Sequence, residues 1–215
     1  MSVVRDEFGP TLPELIAPRL RALPRPLRLV LAAVAGVVVL VLIWALLLRG
    51  GGNGLRPLVV HRPIAFNLVY RAPLRNQAPA AGELARLANS SGQSMTVREL
   101  RLPAFRGDAS GFLPTYVTTL EREMARRYPG FLARYEGRAN VNKIQGYEFY
   151  FQYRRGGQLA YGRRVLLLPT ATARQGADLL LLTPRTPAVA RYDAVGKNGS
   201  LKTALRSFRF GTERP

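Results

Sequence analysis

The side chains that could perform acid–base, nucleophilic or metal chemistry are few in this 215-residue chain. It has one histidine, His61, and no cysteine, which excludes disulfides, thiol catalysis, thiolate metal sites and lipid attachment through cysteine. The histidine of a Ser-His-Asp triad packs against a buried carboxylate, and the position of His61, after a glycine-rich stretch beside the predicted membrane segment, is a poor place for such packing. We expect His61 to be a solvated linker residue.

The carboxylates do not form a reactive pair either. Glu121 and Glu123 are two apart on a predicted helix and therefore point in different directions. Asp178 and Asp193 fall near turns or strand ends without an evident partner. The glycines at 50–54 lack the preceding strand and the following Lys-Ser/Thr of a phosphate-binding loop. The sequence therefore predicts a non-catalytic protein with no metal site and no cofactor.

What remains is strongly basic. The chain carries a net charge of +19, and the six basic and three acidic residues before Gly50 leave 26 basic and 10 acidic residues after it, a net +16. All basic residues except three lysines are arginine. GC-rich codon usage explains this skew most simply, although arginine also binds carboxylates and phosphates in a forked geometry. Some affinity for polyanions is expected in either case.

Three adjacent arginine pairs, interleaved with tyrosines, are the candidate anion- or partner-binding residues. They are Arg126, Arg127, Arg154, Arg155, Arg163 and Arg164, together with Tyr150, Tyr153 and Tyr161. One interpretation is a surface that attracts anions by charge and holds them by stacking or cation–π contact. The alternative is that about half of the aromatic residues are core and the arginines form a solvated face.

The segment from Leu29 to Leu48 consists of twenty residues without a charge. A helix of this length crosses the roughly 30 Å hydrocarbon layer of a membrane. Arg28 and Arg49 flank it, and Trp44 lies near one end, where aromatic rings favour the interface. The segment is longer than a secretory signal core and has no small-residue cleavage site. It is predicted to be an uncleaved signal anchor.

Basic residues favour the cytoplasmic side of a span, which places the N-terminus inside and the following domain outside the cell membrane. The predicted organisation is a basic, proline-rich cytoplasmic tail (1–28), the transmembrane helix (29–48), a Gly-rich linker (49–61) and an extracytoplasmic domain (62–212). The reverse orientation would place the domain in the cytosol.

Within the domain, alternating apolar residues predict strands at 64–70 and 94–102, with a possible bulge near Leu100 and Leu102. Three- and four-residue spacing predicts an amphipathic helix over 113–128. Thr115 is its expected N-cap, and Pro129-Gly130 ends it.

The second half predicts three antiparallel strands, at 146–153, 158–169 and 177–182. Gly156-Gly157 suits a two-residue hairpin turn between the first two, because both turn positions need positive φ. A closing helix begins at Ser200, its expected cap, with Leu201, Ala204 and Leu205 facing inward. A sheet with helices packed on it is an α+β domain.

Four pieces of this pattern occur in an order that resembles the PsbP-like group of α+β domains. They are the strand ending Val69-Tyr70, the Gly146-Tyr147 strand with its glycine hairpin, the return strand ending Leu168-Pro169, and the closing helix leading into Ser207-Phe208. The resemblance implies an antiparallel sheet covered by helices on both faces, an α/β/α sandwich. It implies no shared catalytic residues, since members mostly bind partners or small ligands. Bacterial relatives often carry a lipidated cysteine, which this chain lacks.

The expected function is therefore that of a membrane-anchored envelope protein whose basic domain binds or scaffolds an anionic lipid, a wall polymer or an acidic protein. A cytosol-facing nucleic-acid-binding domain is an alternative, but it needs the inverse topology and the sequence has no reader motif. A hydrolase or transferase would require a pocket lined by tyrosine and arginine.

Overall fold

The computed structural model describes Pro24, Pro26, Val34 and residues 36–41 and 54–213, and the chain divides into two compact units, 1–52 and 53–215. In the first unit, Val34 and residues 36–41 are helical and exposed. The rest of the predicted span and most of the predicted tail lie outside the described residues, as do Arg28, Leu29, Trp44, Leu48 and Arg49. Over the described ranges, no helix combines the length and apolarity needed to cross a membrane.

Seven antiparallel strands form the main sheet of the second unit. They are β3 (Arg75–Gln77), β4 (Glu83–Ala88), β5 (Ser94–Arg101), β6 (Leu132–Val141), β7 (Ile144–Arg155), β8 (Gln158–Leu167) and β9 (Gln175–Pro184). Their order across the sheet is β3-β4-β5-β9-β8-β7-β6. The predicted meander of three consecutive strands is confirmed as β7-β8-β9.

Two hairpin turns of two residues each fix the register of β6, β7 and β8. Gly156 and Gly157 have φ of 55° and 80°, as the sequence predicted, and Asn142 and Lys143 have φ of 49° and 69°. Positive φ at both central residues matches the twist of the flanking strands. The register is therefore set so that Arg155 pairs with Gln158 across the glycine turn.

One face of the main sheet is covered by helix α1 (Ala109–Arg127). Its buried stripe packs against strand residues that include Phe149, Phe151 and Leu166. Four of the five predicted stripe residues, Leu113, Val117, Leu120 and Met124, are buried in the helix, whereas the fifth, Tyr128, directly follows the helix and is half-buried. The helix begins at Ala109, however, so Thr115 lies inside it and the N-cap prediction is wrong. Pro114 lies inside the helix, near its start.

The other face is covered by a small sheet and a second helix. The small sheet contains β1 (Arg56–Val60), β2 (Phe66–Tyr70) and β10 (Arg209–Phe210) in the order β1-β2-β10, and helix α2 spans Leu201–Ser207. Phe66, Leu68, Leu205 and Phe208 pack there with the buried side of the main sheet. The domain is thus α+β with layers on both faces of an antiparallel sheet, as predicted.

Two further local predictions need correction. Residues 56–60 of the predicted linker form β1, because Leu58 and Val60 pack against the core while this strand pairs with β2. No bulge interrupts the pairing of β5 with β9 from Ser94 to Arg101. Leu100 instead points towards α1, since the sheet is buried on both faces.

Ser200 precedes α2, as predicted, but its side chain does not cap the helix. Its hydroxyl donates instead to Oε1 of Gln93 at 2.5 Å. The inward-facing residues Leu201, Ala204 and Leu205 are buried, so that prediction is confirmed.

Candidate functional site

Arg163 and Arg164 are neighbours on β8, so their side chains lie on opposite faces of the main sheet. The Arg163 guanidinium donates to Oε2 of Glu148 at 2.9 Å and 2.5 Å. The Arg164 guanidinium donates to both carboxylate oxygens of Asp178, at 2.8 Å and 2.5 Å. Both ion pairs are buried, because both faces of the sheet are covered. The prediction that these two arginines bind an external anion is therefore wrong.

The three candidate tyrosines also belong to the core. Tyr150, Tyr153 and Tyr161 are each less than 10% exposed. Burial raises the pKa of the Tyr150 and Tyr153 hydroxyls, and the Tyr161 hydroxyl donates to the backbone carbonyl of Ala190 at 3.1 Å. Alternate residues of β7 and β8 face packed layers on both sides, so the core interpretation is right for all three.

The other two arginine pairs meet at one end of the domain. The C-terminus of α1, which carries Arg126 and Arg127, continues through Pro129 and Gly130 beside the β7–β8 hairpin, which carries Arg154 and Arg155. The Arg154 backbone N–H donates to the Pro129 carbonyl at 2.7 Å, and its side chain packs over Gly130. We call these four arginines the basic end.

Aromatic packing beneath the basic end holds the helix and hairpin together. The rings of Tyr128 and Tyr153 meet edge to face with their centroids 5.0 Å apart. The guanidinium of Arg127 lies 5.8 Å from the Tyr128 ring centroid. The tyrosines that interleave with the arginines in sequence therefore position them from below, which is a structural role that sequence spacing alone does not reveal.

All four side chains of the basic end are exposed. Arg154 and Arg155 donate to backbone carbonyls, of Gly157 and Gly92 respectively, each at 3.0 Å. In the described part of the chain, no carboxylate forms an ion pair with any of the four within 4.0 Å. Glu123 lines the same shallow pocket as Arg127 without such a contact. The basic end thus keeps most of its positive field.

A further cluster shows where the scarce acidic residues are used. Glu83 on β4 is buried and accepts hydrogen bonds from Arg86 at 2.7 Å and 2.8 Å and from Arg98 at 3.4 Å. The Arg86 hydrogen bonds are the main cause that lowers the pKa of Glu83 to about 2, against the opposing effect of burial. Several acidic residues are therefore engaged in internal pairs, and the arginines left over are on the surface.

A cleft of about 740 Å³ opens at the N-terminal end of α1, between that end, the β6–β7 hairpin and the loop after β8. Its basic residues are Arg138 and Lys143, and Asp108 is an acidic residue of its lining. Leu113, Ile144 and other apolar side chains line it as well. Helix α1 has 19 residues and is roughly 28 Å long, and this cleft and the basic end lie towards its opposite ends. The sequence interpretation missed it, because the Asn142-Lys143 turn was not recognised.

The described residues do not bring the candidate metal-ligating side chains together. In these ranges no group of three or more His, Cys, Asp or Glu side chains is placed to hold a metal ion. His61 is exposed, directly after β1. Asp193 lies 3.3 Å from Arg191 in an exposed ion pair.

Comparisons with known proteins bear on the fold. No protein-family model matches the chain, and no curated protein matches it. It is similar to the solution structure of cyanobacterial PsbP (CyanoP) from Synechocystis sp. PCC 6803, with a TM-score of 0.51 and 11% identity over 74% of this chain and 94% of that chain. It also matches LpqN, described as involved in cell envelope biogenesis of Mycobacterium tuberculosis, with a TM-score of 0.47 and 11% identity over 74% and 92% of the two chains. The domain has the PsbP-like fold that the sequence resemblance implied.

Proposed function

We propose that this protein is a single-pass envelope protein whose PsbP-like domain is a non-catalytic module that binds an anionic surface through its basic end. In this proposal residues 29–48 span the membrane and residues 1–28 remain in the cytoplasm. Arg28 and Arg49 lie at the two ends of the span. The domain, from about residue 62 to 212, is extracytoplasmic.

The observation that carries the proposal is the convergence of two arginine pairs from separate elements. Arg126 and Arg127 come from a helix, and Arg154 and Arg155 come from a hairpin. A solvated arginine face would scatter such residues, whereas here four exposed cations share one end and lack acidic partners within 4.0 Å among the described residues. A cluster of this kind favours an extended anionic partner over a single small ion.

Anionic lipid headgroups are the favoured partner, because a membrane tether keeps the domain near them at high effective concentration. Each basic residue close to an anionic leaflet contributes about 1 kcal/mol, and this contribution falls with salt. Four arginines would therefore suffice for a stable but salt-sensitive contact. An acidic wall polymer or an acidic protein would use the same charges and would be distinguished by the test.

The test uses the absence of cysteine, which allows one fluorophore to be attached at a chosen site. A polarity-sensitive dye on Gln158→Cys, at the exposed end of the hairpin, reports contact with a bilayer. The full chain is placed in nanodiscs of neutral lipid and of mixed neutral and anionic lipid. We expect a blue shift only with anionic lipid, and we expect high salt to reverse it.

The test variant is Arg154→Gln/Arg155→Gln, which should lose most of the blue shift. Its matched control is Arg71→Gln/Arg75→Gln, which removes two exposed charges elsewhere and should keep the blue shift. Equal emission in the two lipid mixtures would refute lipid binding. In that case, a shift on adding a soluble acidic polymer to the neutral nanodiscs would identify the polymer as the partner class.

A further inference from the structure

The cleft at the N-terminal end of α1 has a positive rim. Arg138 on β6 and Lys143 in the β6–β7 turn are both exposed at it. Lys143 also lines an adjoining smaller hollow together with Arg209. Among the described residues, none of these three forms an ion pair within 4.0 Å.

The rim also includes one acidic residue. Asp108 directly precedes the first turn of α1 and lines the cleft, so it offsets the partial positive charge of the helix N-terminus, and the positive charge of the rim comes from Arg138 and Lys143. The β6–β7 turn is held by the Asn142 side-chain amide, which donates to the Phe208 carbonyl at 3.2 Å. Lys143 is therefore presented from a fixed turn, and the rim is set before any ligand arrives.

Part of the cleft wall is apolar. Leu113 from α1 and Leu168 after β8 belong to the core beneath α1, and Ile144 is partly buried against the opposite core cluster. Ala139 is buried at the same place. The volume of about 740 Å³ falls within the range of about 300–1,000 Å³ typical of small-molecule sites, which combine an apolar body with a few placed polar groups.

We propose that this cleft binds an amphiphile with an anionic head and an apolar chain. The head, a carboxylate or a phosphate monoester, is held at the rim by Arg138 and Lys143. The chain lies against Leu113, Ile144 and Leu168. The cleft and the basic end lie at opposite ends of α1, so each can be altered without touching the other.

The experiment uses the full chain in nanodiscs of neutral lipid and a fatty acid that carries a photoactivatable diazirine in its chain. After illumination, labelled peptides are mapped by mass spectrometry and normalised to labelling of the nanodisc scaffold protein. We expect label on the peptides that contain Leu113, Ile144 and Leu168. Decanoate or decyl phosphate should compete for this label more strongly than decanol. Whichever of the two anions competes more strongly identifies the preferred head group, carboxylate or phosphate monoester.

The double variant Arg138→Gln/Lys143→Gln should lower labelling of the cleft about fivefold or more, since each exposed charge contact contributes up to a factor of about five. Both residues are exposed, so the variant should fold, and Lys143→Arg should retain labelling. Arg154→Gln/Arg155→Gln removes the same charge from the basic end and should leave the cleft label unchanged. Label absent from the cleft, label insensitive to the double variant, or decanol competing as well as decanoate would each overturn the proposal.

Discussion

Replacing Glu148 with glutamine tests whether Arg163 is a core residue and not a surface ligand. The substitution keeps size and one acceptor oxygen but removes the negative charge opposite a buried guanidinium. Arg163 would keep its contact with the Val195 carbonyl at 3.3 Å and its position over the Tyr150 ring, 5.1 Å from the centroid. Neither of these contacts neutralises its charge.

Breaking a buried ion pair by removing one partner typically costs about 3–5 kcal/mol, because the remaining charge is left uncompensated. Because Arg163 keeps these contacts, we expect Glu148→Gln to lower the free energy of unfolding by about 3 kcal/mol, near the lower limit of this range. Replacing both partners with apolar residues, as Arg163→Met/Glu148→Leu, should leave stability within about 1 kcal/mol of the parent. Glu136→Gln, on an exposed strand position, should change it by less than about 0.5 kcal/mol.

Urea unfolding of the full chain in neutral nanodiscs, followed by the near-ultraviolet circular dichroism of the tyrosines, measures these differences. Tryptophan fluorescence is unsuited, because the single tryptophan, Trp44, falls in the predicted span. A cost below about 1 kcal/mol for Glu148→Gln would refute a buried, interdependent pair. So would a double variant as unstable as the single one.

Two further predictions concern individual residues of the core, and a third concerns the orientation of the domain. The pKa of Glu83 is lowered from 4.5 to about 2, so its pairing stabilises the domain above pH 4.5 and this stabilisation is lost as the pH falls towards 2. The stability gap between the parent and Glu83→Gln at neutral pH should therefore close in acid titrations of urea unfolding, and a gap that persists near pH 2 would contradict the assignment. Gly146→Ala should lower the free energy of unfolding by about 2 kcal/mol or more, since the new Cβ would lie 2.0 Å from the Leu166 carbonyl oxygen. Gly54→Ala meets open space and should be neutral. Gln158→Cys in intact cells should react with a membrane-impermeant maleimide if the domain is extracytoplasmic, and labelling only after lysis would reverse the predicted orientation.

The elements that could be predicted from sequence are those whose burial follows a simple period. The stripe of α1 and the paired glycines before β8 each carry a local pattern with one interpretation. Strand β6 does not, because it is an edge strand whose residues from Leu132 to Glu136 are all exposed. Its turn, Asn142-Lys143, lacks the glycine that usually marks a two-residue hairpin. The cleft was missed for the same reason.

Only two of the three arginine pairs of the candidate site could be assigned from sequence. The third pair lies inside a strand, where exposure depends on what covers the second face of the sheet. Adjacent arginines on a helix end or a hairpin tip both reach solvent, as the basic end shows. Adjacent arginines inside a strand point to opposite faces, and whether both faces are covered depends on elements far away in sequence. Arg163 and Arg164 were therefore misassigned.

One sequence-level inference could still have corrected Arg163. Once Gly156-Gly157 is taken as a two-residue turn, the register of the hairpin follows, and Glu148 falls opposite Val165. Residues two apart on a strand share a face, so Arg163 and Glu148 are diagonal neighbours on the same side of the sheet. A buried arginine needs a carboxylate there, and Glu148 is placed to supply it. The pairing of Arg164 with Asp178 follows by the same rule only after β9 is aligned with β8, which no turn of defined length fixes.

The same internal pairs also determine what the outside of the domain can bind. Glu83, Glu148 and Asp178 are all buried against arginines, so each removes an acidic residue from the surface. The surface is consequently richer in positive charge, relative to its acidic residues, than the composition of the chain alone would indicate. At the C-terminal end of α1 this excess lies over aromatic packing with only a shallow pocket, which suits a broad anionic surface. At the N-terminal end it borders a larger cleft whose wall is partly apolar, which suits a single amphiphile with an anionic head.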